Sequence, residues 1–244
     1  MKKLNGEVIL VLGATGGLGQ AFSKRIVEEG GRVILASRNE KALLNLQQKI
    51  DPHRKQTIVW PTDASKNNEV TYALNSGVNR FAENTKAIVI CIGNHVASGI
   101  KDSTEKALGI MGELLESMVI PTFNAIHEAQ LFFREQGKGW IVNTSSHVVF
   151  KDEKELEDNE AYRVAKAAGD KHLWSLLPFL KDDGVRGTNL RPATINTPGN
   201  EGFLDTPEKK AAAIQPEYIA DWFIDNFYNP EPPADIYFPS GATW

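Results

Sequence analysis

Tyr162 and Lys166 stand four residues apart in Tyr162-Arg163-Val164-Ala165-Lys166. That spacing puts a phenol and an ammonium on one face of a helix. Upstream, the apolar run Trp140-Ile141-Val142-Asn143-Thr144 ends in Ser145-Ser146, and strand ends are where open α/β sheets bind their ligands. Near the N-terminus, Gly13-Ala14-Thr15-Gly16-Gly17-Leu18-Gly19 follows one apolar run and opens a helical pattern. Residues without Cβ let the chain turn tightly and approach a pyrophosphate, while the free N–H groups of the helix start face its oxygens. The bland alternative is a tight strand-to-helix turn. Strand before and helix after favour the phosphate reading, with Gly13, Thr15, Gly16, Gly17, Leu18 and Gly19 as the candidate contacts.

The next strand end discriminates between dinucleotides. An acidic residue there would accept hydrogen bonds from a ribose 2′-OH and repel a 2′-phosphate. The chain reads Ala36-Ser37-Arg38-Asn39 instead. A hydroxyl and a guanidinium suit a 2′-phosphate, so Ser37 and Arg38 point to NADP(H) over NAD(H); otherwise Arg38 is an ordinary surface arginine. Asp63, followed by Ala64, either contacts an adenine edge or caps the next helix.

The elements that must hold these residues follow from periodicity. Short β-branched runs at Glu7–Gly13, Arg32–Ser37, Gln56–Trp60, Lys86–Ile92, Gly139–Ser145, Val185–Arg191 and Asp235–Pro239 alternate with helical patterns near 18–30, 40–50, 66–84, 104–136, 160–181 and 215–228. Such alternation means parallel neighbours joined by helical crossovers. The expected fold is α/β: a Rossmann-like, doubly wound, parallel seven-stranded sheet with helices on both faces, in one nucleotide-binding domain over residues 1–244. The stretch 104–136 carries an apolar stripe through Leu108, Met111, Leu115, Met118, Thr122, Ile126 and Phe133. Pro121 should kink or break it, and Pro178 should do the same to the later helix.

Composition narrows the class. Of 244 residues, 41% are hydrophobic and 24% charged, which excludes a largely disordered chain. A net charge of −4 gives no long-range attraction to nucleic acid or anionic lipid. The single cysteine, Cys91, makes neither an internal disulfide nor a multi-cysteine zinc site, so no metal is expected and a reducing, cytoplasmic setting fits. No apolar run is long enough to span a bilayer.

Taken together, the glycine loop, the Ile141-Val142-Asn143-Thr144-Ser145-Ser146 strand end, the Tyr-x-x-x-Lys pair and Arg191-Pro192-Ala193-Thr194-Ile195-Asn196-Thr197 resemble the short-chain dehydrogenase/reductase family. The resemblance covers nearly the whole chain. It implies that Ser146, Tyr162 and Lys166 are catalytic in transferring hydride between NADPH and a ketone, aldehyde or alcohol. Tyr162 would give the carbonyl oxygen its proton; a positive Lys166 and the oxidised nicotinamide ring would favour its phenolate, and Lys166 would also bond the nicotinamide ribose. Ser146 would bond the substrate oxygen, with Ser145 ranked behind it. Gly93, Pro192, Thr194, Ile195 and Thr197 would complete the cofactor site. Asn94, His147 and Phe203 join Ser146 as candidate substrate contacts. A homodimer or homotetramer is implied through the long helix and the Tyr-bearing helix, where Leu173, Trp174, Leu177 and Phe179 supply apolar surface.

The chain departs from the family in places. Ile90-Cys91-Ile92-Gly93 keeps the glycine of the family's segment after the fourth strand and loses its asparagines. Met118 falls where the family has a catalytic asparagine, with Ser117 beside it. Asn94 could replace a lost hydrogen bond. Lys151 to Glu160 holds six acids against two lysines, which reads as a solvated loop or a wall that repels anionic substrates. Pro198 to Gln215 is a short lid. These departures keep two alternatives open, a pterin-type reductase and a non-catalytic NADP(H)-binding sensor or scaffold.

Overall fold

Alternate residues of each central strand face opposite helical layers, and that alternation builds the architecture. The computed structural model describes residues 2–94, 96, 102–149 and 160–241. The acidic segment lies outside them apart from Glu160. Strands β1 (Val8–Leu12), β2 (Arg32–Ser37), β3 (Thr57–Pro61), β4 (Thr85–Ile90), β5 (Gly139–Thr144), β6 (Val185–Pro192) and β7 (Asp235–Phe238) form one sheet in the order β3-β2-β1-β4-β5-β6-β7. Every neighbouring pair is parallel. One row of the register runs Leu35, Val11, Val89, Val142, Thr188.

Ile9, Val11, Ala87 and Val89 pack into one layer with Phe22, Ile26, Leu43 and Phe223. Val8, Leu10, Ile88 and Ile90 pack into the other with Leu74, Ile126, Phe133 and Leu173. The first layer uses α1 (Gly17–Glu28), α2 (Glu40–Ile50) and α8 (Pro216–Asp225). The second uses α3 (Glu69–Phe81), α5 (Ile120–Gln136) and α6 (Glu160–Asp182). The expected doubly wound sheet is therefore present. The chain winds outward from β1 to β3, then crosses back to β4 on the other side of β1. That reversal opens a crevice at the carboxyl ends of β1 and β4, the place where such sheets bind ligands.

The 104–136 stretch is two helices, α4 (Thr104–Leu114) and α5, joined by a π turn over Leu115–Val119. Pro121 lacks an N–H and its ring crowds the preceding turn; a widened turn just before it relieves both. The wider turn also changes the phase of the stripe. Met118, Ile126 and Phe133 are buried, whereas Leu108 and Leu115 are exposed. At Pro178 the helix is not broken: α6 continues past it to Asp182. The helix expected over 66–84 starts later, since Asn68 takes a left-handed conformation, φ 65°. A short helix in the lid, α7 (Pro207–Ala212), was not expected; Thr206 caps it by accepting the Lys209 N–H. Among the described residues, no helix is long and apolar enough to cross a membrane.

Candidate active site

Gly13, directly after β1, turns the chain with φ +84°, and a Cβ there would lie 2.5 Å from the Cys91 carbonyl oxygen after β4. The loop therefore closes against the end of β4, and α1 begins at Gly17. A Cβ on Gly17 would lie 2.5 Å from Cβ of Thr197. Thr197 belongs to the strap that leaves β6 through Pro192, so strap and glycine loop meet directly. The strap is pinned by the Ile214 N–H donating to Thr194 O at 2.9 Å and by an Ile195–Ile214 bridge.

A cavity of about 790 Å³ opens between them. Gly16, Gly17, Leu18 and Gly19 line it together with Gly93, Asn94, Ser146, His147, Tyr162 and Lys166, and with Pro192, Thr194, Ile195, Thr197 and Phe203. Residues far apart in the chain thus share one wall. Thr15, Ser37, Arg38, Asp63 and Ala64 do not line it. They sit beside it at the carboxyl ends of β1 to β3, where Thr15 Oγ1 donates to Ser37 Oγ at 3.2 Å. The Asp63 carboxyl is held below its ordinary value by hydrogen bonds from Ser65 and by the nearby Lys66 and Arg38 charges. Asp63 does not cap α3; its Oδ1 accepts from the Ser65 N–H at 3.1 Å and the Ser65 hydroxyl at 2.6 Å.

Lys166 is buried on α6, one turn after Tyr162. Its Nζ donates to Thr144 O at 2.9 Å and Ile92 O at 3.1 Å, so it ties the ends of β5 and β4 together. Burial brings its pKa down to about 8. The Nζ lies 5.9 Å from the Tyr162 ring centroid. Burial pushes the Tyr162 phenol up to about 12, against a hydrogen bond with Ser146 that pulls it down. Desolvation of the phenol thus outweighs that hydrogen bond.

Ser146 is buried and also accepts from the Val148 N–H at 3.4 Å. Ser145 Oγ is buried with no hydrogen-bond partner among the described residues, an uncommon and costly state for a hydroxyl. His147 Nδ1 lies 3.1 Å from Pro192 O, so the tautomer protonated at Nδ1 ties the β5 end to the strap. Asn94 Nδ2 donates to Glu113 Oε1 at 3.0 Å and Ser117 Oγ at 3.3 Å, which joins the β4 loop to α4 and the π turn. Met118 is buried with Leu114, Ala161 and Ala165, and Tyr162 packs against that cluster. Burial pushes the Cys91 thiol up to about 12, which disfavours a thiolate there, and its side chain packs against the first core layer.

The wall also includes Asn200, Lys209 and Ser240, which sequence reasoning missed. Nothing local marks them. Lys209 reads as one of the charged residues of Glu208-Lys209-Lys210, and Ser240 as part of a tail.

The family model described as short chain dehydrogenase matches residues 7–208. An oxidoreductase of Staphylococcus epidermidis, itself described as uncharacterized, is 26% identical over 221 residues, covering 91% of this chain and 90% of that protein. A second uncharacterized oxidoreductase, from Staphylococcus haemolyticus, is 28% identical over 224 residues, covering 92% of each. Among solved structures, gox2181 superposes with a TM-score of 0.85 at 20% identity, covering 99% of this chain and 97% of that one. A short-chain type dehydrogenase/reductase from Mycobacterium ulcerans gives 0.82 at 19% identity, covering 98% and 90%. At these identities the structural likenesses show the fold.

Proposed function

The chain belongs to the short chain dehydrogenase family, and from that premise we propose that it is an NADP(H)-dependent oxidoreductase acting on a small carbonyl or alcohol substrate, with Tyr162 as acid and base. One observation carries the reading: Ser146, Tyr162 and Lys166 line the same cavity as the glycine loop. The residues fit a nicotinamide dinucleotide. The cavity is lined both by Gly16–Gly19 and by Tyr162, and Gly17 admits the Thr197 strap where a side chain would exclude it.

The glycine loop and α1 start would hold the diphosphate, and Lys166 and Thr197 the nicotinamide half. When bound, the cofactor supplies hydride to the carbonyl carbon or takes it from the carbinol. Tyr162 Oη gives its proton to the carbonyl oxygen in reduction and recovers one from solvent. A phenol raised to about 12 holds that proton throughout the neutral range, which suits reduction. Oxidation needs the phenolate, and the positive charge of an oxidised nicotinamide favours it. Ser146, already bonded to the phenol, shares the substrate oxygen with it.

For NADP(H), the support is the paired Thr15 and Ser37 hydroxyls, the exposed Arg38 beside them and the absence of a carboxylate at the β2 end. We propose further that the chain is one domain, cytoplasmic, and a homodimer or homotetramer. Its α5 and α6 carry exposed Phe123, Leu131, Trp174 and Phe179, while Leu173 faces the sheet. The buried Met118 offers no strong hydrogen bond at the position where the family has asparagine, and this supports the second reading, a protein that binds NADP(H) without turnover.

The deciding experiment follows oxidation of NADPH and NADH by the purified protein over ketones, aldehydes, quinones and pterins. Turnover with NADPH that falls about 10²–10⁴-fold in Tyr162→Phe establishes the reductase. NADPH binding without turnover on any of them favours the sensor. Turnover with NADH alone removes the argument from Ser37 and Arg38.

A further inference from the structure

The cavity wall is unbalanced in charge. Its described lining includes two lysines, Lys166 and Lys209, and neither Asp nor Glu. Lys166 is buried, and its N–H groups are engaged by two main-chain carbonyls. Lys209 is different. Its Nζ lies 2.7 Å from Asp205 Oδ1, one helical turn back, with the two side chains 57% and 60% exposed. An exposed i, i+4 pair of this kind is weak and screened. Lys209 can exchange that carboxylate for a better-placed anion at small cost, since a charge-assisted bond inside a cleft is stronger than one in open solvent.

The fold also couples the helix that carries Lys209 to the strap and the glycine loop. α7 is tied at its far end, where the Gly241 N–H donates to Ala212 O at 2.8 Å. The next residues clasp the strap: Ile214 N–H donates to Thr194 O at 2.9 Å, and Asn196 N–H to Ile214 O at 2.8 Å. Thr197 then lies against Gly17. Lid helix, strap and glycine loop are one continuous wall.

We propose that Lys209 is the lid's counter-charge for an anionic oxygen of the bound ligand, and that it exchanges Asp205 for that oxygen on binding. Two sources share this chemistry, the diphosphate of the dinucleotide and a carboxylate on the substrate. The inference rests on the dinucleotide reading above and adds a residue to it.

The test titrates NADPH into wild type, Lys209→Gln and Asp205→Asn, followed by cofactor fluorescence in the absence of substrate. A diphosphate contact raises the Kd of Lys209→Gln about tenfold and leaves that of Asp205→Asn equal or lower. A substrate contact leaves both Kd values unchanged. It gives instead calorimetric binding of 2-oxoglutarate to the wild-type NADP⁺ complex that Lys209→Gln loses. Unchanged Kd values without such Lys209-dependent binding overturn the proposal. So does an Asp205→Asn loss as large as that of Lys209→Gln, which would mean that the pair only holds α7 together. Wild-type protein that binds neither NADPH nor NADH overturns the dinucleotide reading and this one together, whereas wild type that binds NADPH no better than both variants, with no 2-oxoglutarate effect, removes Lys209 alone.

Discussion

Asp170 and Arg191 are paired through two parallel hydrogen bonds, Nε to Oδ2 at 2.8 Å and Nη2 to Oδ1 at 2.7 Å. Asp170 is buried, four residues after Lys166 on α6, and Arg191 immediately precedes the strap's Pro192. Asn189 adds a bond from its Nδ2 to Asp170 O at 3.1 Å, and its Oδ1 accepts from Asn143 Nδ2 at 2.9 Å. The helix that carries Tyr162 and Lys166 is thus tied to the strand that feeds the strap. Arg191 also reaches Asp235 Oδ1 at 2.8 Å, on the more exposed edge. Removing one partner of a buried pair strands the other's charge. Asp170→Ala is expected to cost about 3–5 kcal/mol in urea unfolding, and Asp235→Ala about 1 kcal/mol or less. Equal losses from the two would mean that burial at Asp170 adds nothing.

The two buried groups of the site predict opposite pH slopes. Lys166 falls to about 8 in the folded chain from an ordinary 10.5. Between those values the unfolded chain holds the proton and the folded chain does not, so stability rises with pH. Tyr162 rises to about 12 from 10.0. Above pH 10 the folded chain keeps a proton that the unfolded chain loses, and stability falls. Urea unfolding from pH 7.5 to 10 should therefore show a rising contribution that Lys166→Met lacks. A variant with the wild-type slope would contradict the assignment.

Cofactor choice is expected to turn on Arg38. Arg38→Gln should lower kcat/KM for NADPH about 10–100-fold, the loss of a charge-assisted contact to phosphate, with NADH little changed. Ser37→Asp should act in the same direction by repelling the 2′-phosphate. Parallel losses with both cofactors would point to a folding defect or to a phosphate bound elsewhere.

The contact between Gly17 and Thr197 is testable by a double-mutant cycle. A Cβ at Gly17 would lie 2.5 Å from Thr197 Cβ, closer than two carbons can stand, so Gly17→Ala should cost about 1–3 kcal/mol through overpacking. Thr197→Gly in the same chain should recover part of it. Additive losses would show that the two residues do not press on each other.

The strands and most helices were legible in the sequence because their signal is local. Val8–Leu12 and Thr85–Ile90 are β-branched runs between breakers, and a period of two or of 3.6 is set by neighbouring residues. The Pro121 break was legible for the same reason. Pro178 does not break its helix, because a missing N–H late in a long helix is outweighed by the packing of that helix, with Leu173 and Leu180 fully or almost fully buried on either side of it.

Within the site, the glycine loop and the Tyr162, Lys166 and Ser146 set could be read from residue type and order. Their common cavity is supplied by the crossover from β3 to β4, which brings the ends of β1, β4, β5 and β6 side by side. The phase of the stripe across the π turn, the side on which Trp174 and Phe179 emerge, the entry of Lys209 and Ser240 into the wall, and the direction of the Tyr162 pKa belong to the tertiary structure alone. Residue type and spacing act between near neighbours along the chain. Desolvation and proximity depend on segments distant along the chain, Ile92 for Lys166 and Thr197 for Gly17, and those become neighbours only when the sheet has formed.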